Sequence, residues 1–173
     1  MATSQSSLLI LITGLPGAGK TTFARALAEK IGASHFNTDI IRAALGLRGQ
    51  YDKKSKRRVY EALEAQTEKA LMAGERVTID GTFYRKELRA PYQKLGIQAQ
   101  VPVFWLVIEA PAAVIRQRVS QKREYSEADY AVYLKIQDAW EPLNQPHLTL
   151  QSAALEEMMD KALAYLHLQN DRS

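Results

Sequence analysis

Gly14-Leu15-Pro16-Gly17-Ala18-Gly19-Lys20-Thr21-Thr22 is the stretch that decides how the rest of the chain is read. It fits G-x-x-x-x-G-K-[ST], the pattern of a phosphate-cradling loop. Upstream, Leu8-Leu9-Ile10-Leu11-Ile12 is a short continuous apolar run of the kind that forms a buried parallel strand. Downstream, Phe23, Ala24, Leu27, Ala28 and Ile31 fall on one face of a helix, and Gly32 is placed to stop it. Strand, glycine-rich turn and helix form the context that such a loop requires. Gly14, Gly17 and Gly19 let the backbone bend and bring its N–H groups close to oxygen atoms. Together with the helix N-terminus those groups make a site for polyanions. Lys20 adds a positive charge for the β- and γ-phosphates, and Thr21 offers a hydroxyl to Mg²⁺. Residues 14–22 therefore read as a nucleoside triphosphate site, with ATP and Mg²⁺ as the expected cofactors.

Composition bounds the alternatives. The chain has 173 residues, enough for one domain with a good core, and a single domain over 1–173 is expected. Apolar content is 46% and charged content 24%, which is ordinary for a globular protein. No apolar run reaches the ~18 residues that a membrane span needs. Met1–Ser7 carries no basic side chain ahead of the apolar run and reads poorly as a signal peptide. A chain without cysteine has no disulfides, thiolate zinc sites or cysteine nucleophiles. A cytoplasmic protein with no membrane partner is the expectation. The net charge of +4 mildly favours anionic partners, and ATP alone could account for it.

Beyond the first helix, Ala33–Asn37 reads as a short second strand leading into Thr38-Asp39-Ile40-Ile41-Arg42. Thr38 is a candidate helix cap. Asp39 has two readings of equal weight: a carboxylate that complements the helix dipole, or one placed at the strand end where α/β sheets bind ligands. Residues 46–55 read as an exposed loop. Lys53-Lys54-Ser55-Lys56-Arg57-Arg58 then opens a helix running to Ala73. That basic run is either a solvated charge cluster or a surface for an anionic substrate or nucleic acid. Arg76–Asp80 reads as a third strand whose terminal carboxylate could hold Mg²⁺, or merely form the turn. A helix over Arg85–Leu95 is expected to close at Gly96, and Val101–Ile108 reads as the fourth strand, with Trp105 in the core rather than stacking on a base. Pro111, Ala112, Ile115 and Val119 form the apolar stripe of the next helix. Arg118 lies on one edge of that stripe, with Arg116 and Arg123 near each other on the opposite edge. The three cannot all reach one phosphate group from a straight helix, and a break near Lys122 would free Arg123 into a loop. Residues 118–140, helical again towards Asp138 with Ser126 as a possible cap, make either a mobile lid or an ordinary helix hairpin. His147–Leu150 reads as a last strand and Ala153–Leu168 as a terminal helix. His35, His147 and His167 are too scattered for a metal constellation and are assigned structural roles. Strands alternating with helices predict an α/β fold on a parallel sheet of about five strands.

Gly14–Thr22, Thr38-Asp39-x-x-Arg42, Asp80-Gly-Thr-Phe83, Arg118 and Arg123, in that order, resemble the small P-loop kinases related to polynucleotide kinases, zeta toxins and chloramphenicol phosphotransferases. The resemblance covers roughly residues 8 to 152. It implies a three-layer α/β/α P-loop NTPase fold with strand order 2-3-1-4-5 and a helical lid. It also implies that Asp39 takes the proton of an acceptor hydroxyl and that Arg42 holds the acceptor or orients Asp39. Asp80 would anchor the magnesium water shell with Thr21, and Arg118 and Arg123 would neutralise the transferring phosphoryl group. Related kinases often carry an acidic residue with Ser or Thr after the fifth strand, where this chain reads Leu150-Gln151-Ser152. The expected activity is phosphoryl transfer from ATP to a hydroxyl of a small molecule or nucleotide. A 5′-hydroxyl polynucleotide kinase and a regulatory nucleotide-binding switch are the alternatives.

Overall fold

The computed structural model describes residues 6–121 and 130–168. Its elements run β1 (Leu8–Thr13), α1 (Lys20–Ile31), β2 (Ser34–Asn37), α2 (Thr38–Ala44), α3 (Lys53–Met72), β3 (Arg76–Asp80), α4 (Lys86–Ala99), β4 (Val103–Glu109), α5 (Ala112–Val119), α6 (Tyr130–Asp138), β5 (Leu148–Gln151) and α7 (Leu155–Tyr165). Among the described residues the five strands form one parallel sheet in the order β2-β3-β1-β4-β5. This is the expected 2-3-1-4-5 arrangement of a P-loop NTPase.

The period of two along a strand divides the core into two layers. Leu8, Ile10 and Ile12 of β1 pack with Phe23, Leu27 and Ile31 of α1 and with Met158, Ala162 and Leu163 of α7. Leu9 and Leu11, on the other face, pack with Val59 and Leu63 of α3, Tyr92 and Leu95 of α4, and Trp105. The all-apolar run in β1 is thus the signature of a central strand covered on both faces. Trp105 is 1% exposed and meets Phe83 edge-on at 6.3 Å, which places it in the core as expected. No described helix is long and apolar enough to cross a membrane.

Two expectations about termini are corrected. Asn37, not Thr38, caps α2: its side chain accepts from the backbone N–H groups of Asp39 and Ile40, while Thr38 is already helical. Asn is as strong a cap as any, but it was hidden at a strand end. Gly96 does not end α4. The helix continues to Ala99 and is capped by Gln100 in the left-handed region, at φ 55°. Gly96 is there because α4 crosses β4 closely: a Cβ at 96 would run into Val103 Cγ2 and lie 3.3 Å from Val101 O. Gly96→Ala is therefore expected to destabilise the fold by about 1–3 kcal/mol. In urea titrations the Gly96→Ala/Val103→Ala double variant should lose less than the two single losses together, because the two side chains compete for one space.

Candidate active site

The parallel register brings three strand ends together. Ile12 and Asn37 are both paired with Asp80, so β1, β2 and β3 finish level with one another. Asp80 is 1% exposed. Its Oδ1 accepts from the Thr21 hydroxyl at 2.7 Å and from Asn37 Nδ2 at 2.6 Å, and His35 Nε2 lies 2.5 Å from Oδ2. Asn37 Nδ2 also donates to Thr21 Oγ1 at 3.2 Å. A buried carboxylate is tolerated when its oxygens are hydrogen-bonded, and three side chains do that here. Asn37 therefore serves two ends at once: its carbonyl oxygen starts α2 and its amide holds Asp80.

The loop after β1 is shaped by its glycines. Gly14 adopts φ 151°, and a Cβ there would run into the carbonyl oxygen of Ile108 in the neighbouring strand. At Gly17, φ 82°, a Cβ would lie 2.8 Å from Val119 Cγ1, so α5 lies directly on the loop. Leu15 and Pro16 carry the turn, closed by Ala18 N–H donating to Leu15 O at 3.1 Å. No side chain caps α1 at Gly19, which leaves its first-turn N–H groups to a ligand. Lys20 Nζ donates across the loop to Leu15 O at 3.0 Å. Arg118 reaches over the same loop, with Nη1 donating to Gly17 O at 3.2 Å and Nη2 to Ser152 Oγ at 3.3 Å. Arg116 instead lies over the Tyr130 ring, at 5.0 Å, on the far side of α5. The helix wheel separated these two arginines, and the structure keeps them apart. Arg123, Ser126 and the suggested break near Lys122 lie outside the described residues.

A cleft of about 1310 Å³ opens above this edge of the sheet. Lys20, Thr21, Thr22, Asp80 and Arg118 line it, as do Asp39 and Arg42 from α2. The Arg42 guanidinium is packed under the Tyr51 ring at 4.4 Å, and its Nε donates to Gln50 O at 3.4 Å. Tyr60 of α3 also faces the cleft. Burial pushes its phenol up to about 12, so Tyr60 remains neutral at any physiological pH. From α6, Lys135 and Ile136 complete the rim.

Expected site residues 14–22, Asp39, Arg42, Asp80 and Arg118 thus share one cleft or its immediate wall. Asn37, His35 and Tyr60 were not read as site residues from sequence. Asn37 could have been suspected as a cap two residues before an acid, whereas His35 and Tyr60 carry no local signal. His35, expected to be purely structural, is one of the three holders of Asp80. Among the described residues no group of three His, Cys, Asp or Glu side chains could hold a metal ion. The oxygen pair Thr21–Asp80 nevertheless fits magnesium, which takes one or two protein oxygens and keeps the rest for phosphates and water.

Residues 9–143 match AAA_33, an AAA domain, and the chain belongs to that family. It is 29% identical over 174 residues to an adenylyl-sulfate kinase of Chloroflexus aurantiacus, covering 95% of this chain and 91% of that one. It is also 28% identical over 123 residues to an uncharacterised protein of Mycobacterium bovis, and the chain spans about a quarter of that relative's length. Among solved structures, Kti12 of Chaetomium thermophilum with ADP-AlF3 superposes with a TM-score of 0.74 at 23% identity, covering 92% of this chain and 97% of that one. A sugar kinase from Janibacter sp. HTCC2649 superposes with a TM-score of 0.73 at 20% identity, covering 95% and 96%. The fold is that of the P-loop kinases.

The two duties of Asn37 can be separated. Asn37→Ala should cost about 1–3 kcal/mol, the sum of a lost cap and a buried hydrogen bond. Asn37→Ser, which keeps a capping oxygen, should recover roughly 1 kcal/mol of that in denaturant titrations without restoring the bond to Asp80.

Proposed function

We propose that this chain is an ATP-dependent kinase that transfers the γ-phosphoryl group to a hydroxyl of a small molecule or nucleotide. The observation that carries the reading is a single cleft whose lining includes both Lys20 and Thr21 of the phosphate loop and Asp39 and Arg42 of α2. The first set suits a triphosphate and the second suits a hydroxyl nucleophile. Names of relatives agree on phosphoryl transfer but not on an acceptor, one being an adenylyl-sulfate kinase and another a sugar kinase.

In this reading the loop N–H groups hold the β- and γ-phosphate oxygens, and Lys20 turns from Leu15 O to the γ-phosphate. Thr21 and Asp80 would hold magnesium, directly or through its water shell, and the ion would neutralise charge building on the β- and γ-oxygens. Arg118, anchored over Gly17 and Ser152, adds a positive charge beside the loop, and Arg123 is proposed for the same task from the lid. Asp39 accepts the hydroxyl proton as the acceptor oxygen bonds to the γ-phosphorus. The bond from that phosphorus to the β–γ bridging oxygen breaks, and ADP leaves with that oxygen. Arg42 positions the acceptor.

Lys20→Ala is expected to abolish transfer and to weaken ATP binding, as measured by ADP release and by nucleotide titration of the folded protein. Unchanged turnover would remove the nucleotide reading. Asp39→Asn keeps the size of the side chain and loses the base, so turnover should fall ~10²–10⁴-fold with ATP affinity close to wild type. If Asp39 serves only the dipole of α2, the change will instead appear as ~1 kcal/mol or less of stability, with catalysis nearly intact.

A further inference from the structure

The basic run at the start of α3 is divided by the helix. Lys53, Lys56 and Arg57 line the cleft, whereas Lys54 and Arg58 do not. The spacing i, i+3, i+4 puts the first three on one face, and Tyr60, Glu61 and Glu64 continue that face deeper along the helix. Among the described residues no carboxylate pairs with Lys53, Lys56 or Arg57. Arg57 and Glu61, one turn apart, are placed for an ion pair and do not make one within 4.0 Å. Three like charges on the first two turns repel one another and oppose the helix dipole. The Asp52 cap, which accepts from Ser55 N–H at 3.0 Å, offsets only part of this. The arrangement costs stability, and its cations face the cavity that holds Asp39.

Tyr60 marks the reacting end of this wall, because its ring lies edge-on to Phe83, in the turn after Asp80, at 6.1 Å. At 1.5 Å rise per residue, Arg57 and Lys56 stand about 4.5–6 Å back along α3 and Lys53 about 10 Å back. Beyond Tyr60 the same face turns acidic at Glu61 and Glu64. The wall is therefore polarised along its length, positive towards the N-terminus of α3 and negative past the tyrosine.

We propose that the phosphate acceptor is a small alcohol that carries its own oxyanion, a phosphate, sulfate or carboxylate group. That group is held by Lys53, Lys56 and Arg57, with the hydroxyl presented to Asp39. Glu61 and Glu64 repel it from the opposite end and so fix the direction in which the acceptor lies. A separation of one to two helical turns between the cations and the reacting end suits a small metabolite. The proposal rests on the kinase reading above.

The test uses wild-type protein and acceptors in matched pairs: glycerol and glycerol 3-phosphate, glucose and glucose 6-phosphate, glucose and gluconate, adenosine and adenosine 5′-monophosphate. A 5′-hydroxyl oligonucleotide is added as a further arm. ATP binding and its dependence on Lys20 are measured first, so that failure of the nucleotide reading is recognised separately. For at least one pair the charged member should show a kcat/KM about tenfold or more above its neutral partner. The Lys53→Gln/Lys56→Gln/Arg57→Gln variant should raise the KM for that acceptor about tenfold or more, with ATP affinity, measured separately, within about twofold of wild type. Equal or better use of neutral partners, or an unchanged KM in the triple variant, would overturn the proposal. Preference for the oligonucleotide would replace it with polynucleotide phosphorylation. Protein that binds ATP through Lys20 and turns over none of the pairs would also count against it, while leaving the nucleotide reading in place.

Discussion

A carboxylate buried in the sheet edge is tolerable only when its oxygens are satisfied, and Asp80 meets that condition through three side chains from two segments. Thr21 comes from the start of α1, and Asn37 and His35 come from β2. Each bond fixes the position of its own segment against β3. The loop can therefore present its N–H groups in one place only, and α2 must leave β2 at the height of Asp80. The cleft inherits its geometry from this one acid and its holders.

The second fastening lies on the other side of the loop. Gly17 admits Val119 so closely that α5 packs directly on the turn, and Ile115 and Val119 pack there with Tyr133 of α6. Arg118 then has only a short reach to Gly17 O and Ser152. The exit of α6 is held as well. Arg89 is 1% exposed, with Nε donating to Phe83 O at 2.7 Å, Nη1 to Pro142 O at 3.0 Å and Nη2 to Glu141 O. Glu141 N–H in turn donates to Tyr84 O at 2.8 Å. The turn after Asp80 and the exit of α6 are therefore tied together. Burial lowers the pKa of Arg89, and three carbonyl oxygens are what keep such a charge tolerable. Phe83 supports the same unit from below, at φ 43°, with its ring edge-on to Tyr60, Tyr92 and Trp105.

Much of this was legible in the chain because the signals are local. The phosphate loop needs glycines and a lysine at fixed spacing, and a strand covered on both faces needs an unbroken apolar run, so both are written in contiguous residues. The strand ending at Asp80 and the helix stop at Gly32 were readable for the same reason. Gly96 misled because a glycine that stops a helix and one that lets a helix touch a strand look alike in sequence. Only the proximity of Val103 distinguishes them.

By itself the sequence determined the α/β class, the nucleotide loop and the positions of Asp39, Asp80 and Arg118. Each depends on backbone conformation or periodicity within a few residues. The tertiary structure alone decided which side chains hold Asp80, that Arg118 and not Arg116 reaches the loop, and that Lys53, Lys56 and Arg57 face the cleft while Lys54 and Arg58 do not. Those outcomes turn on strand register and on the rotation of a helix about its axis. Both are set by packing between segments tens of residues apart, which no local pattern encodes.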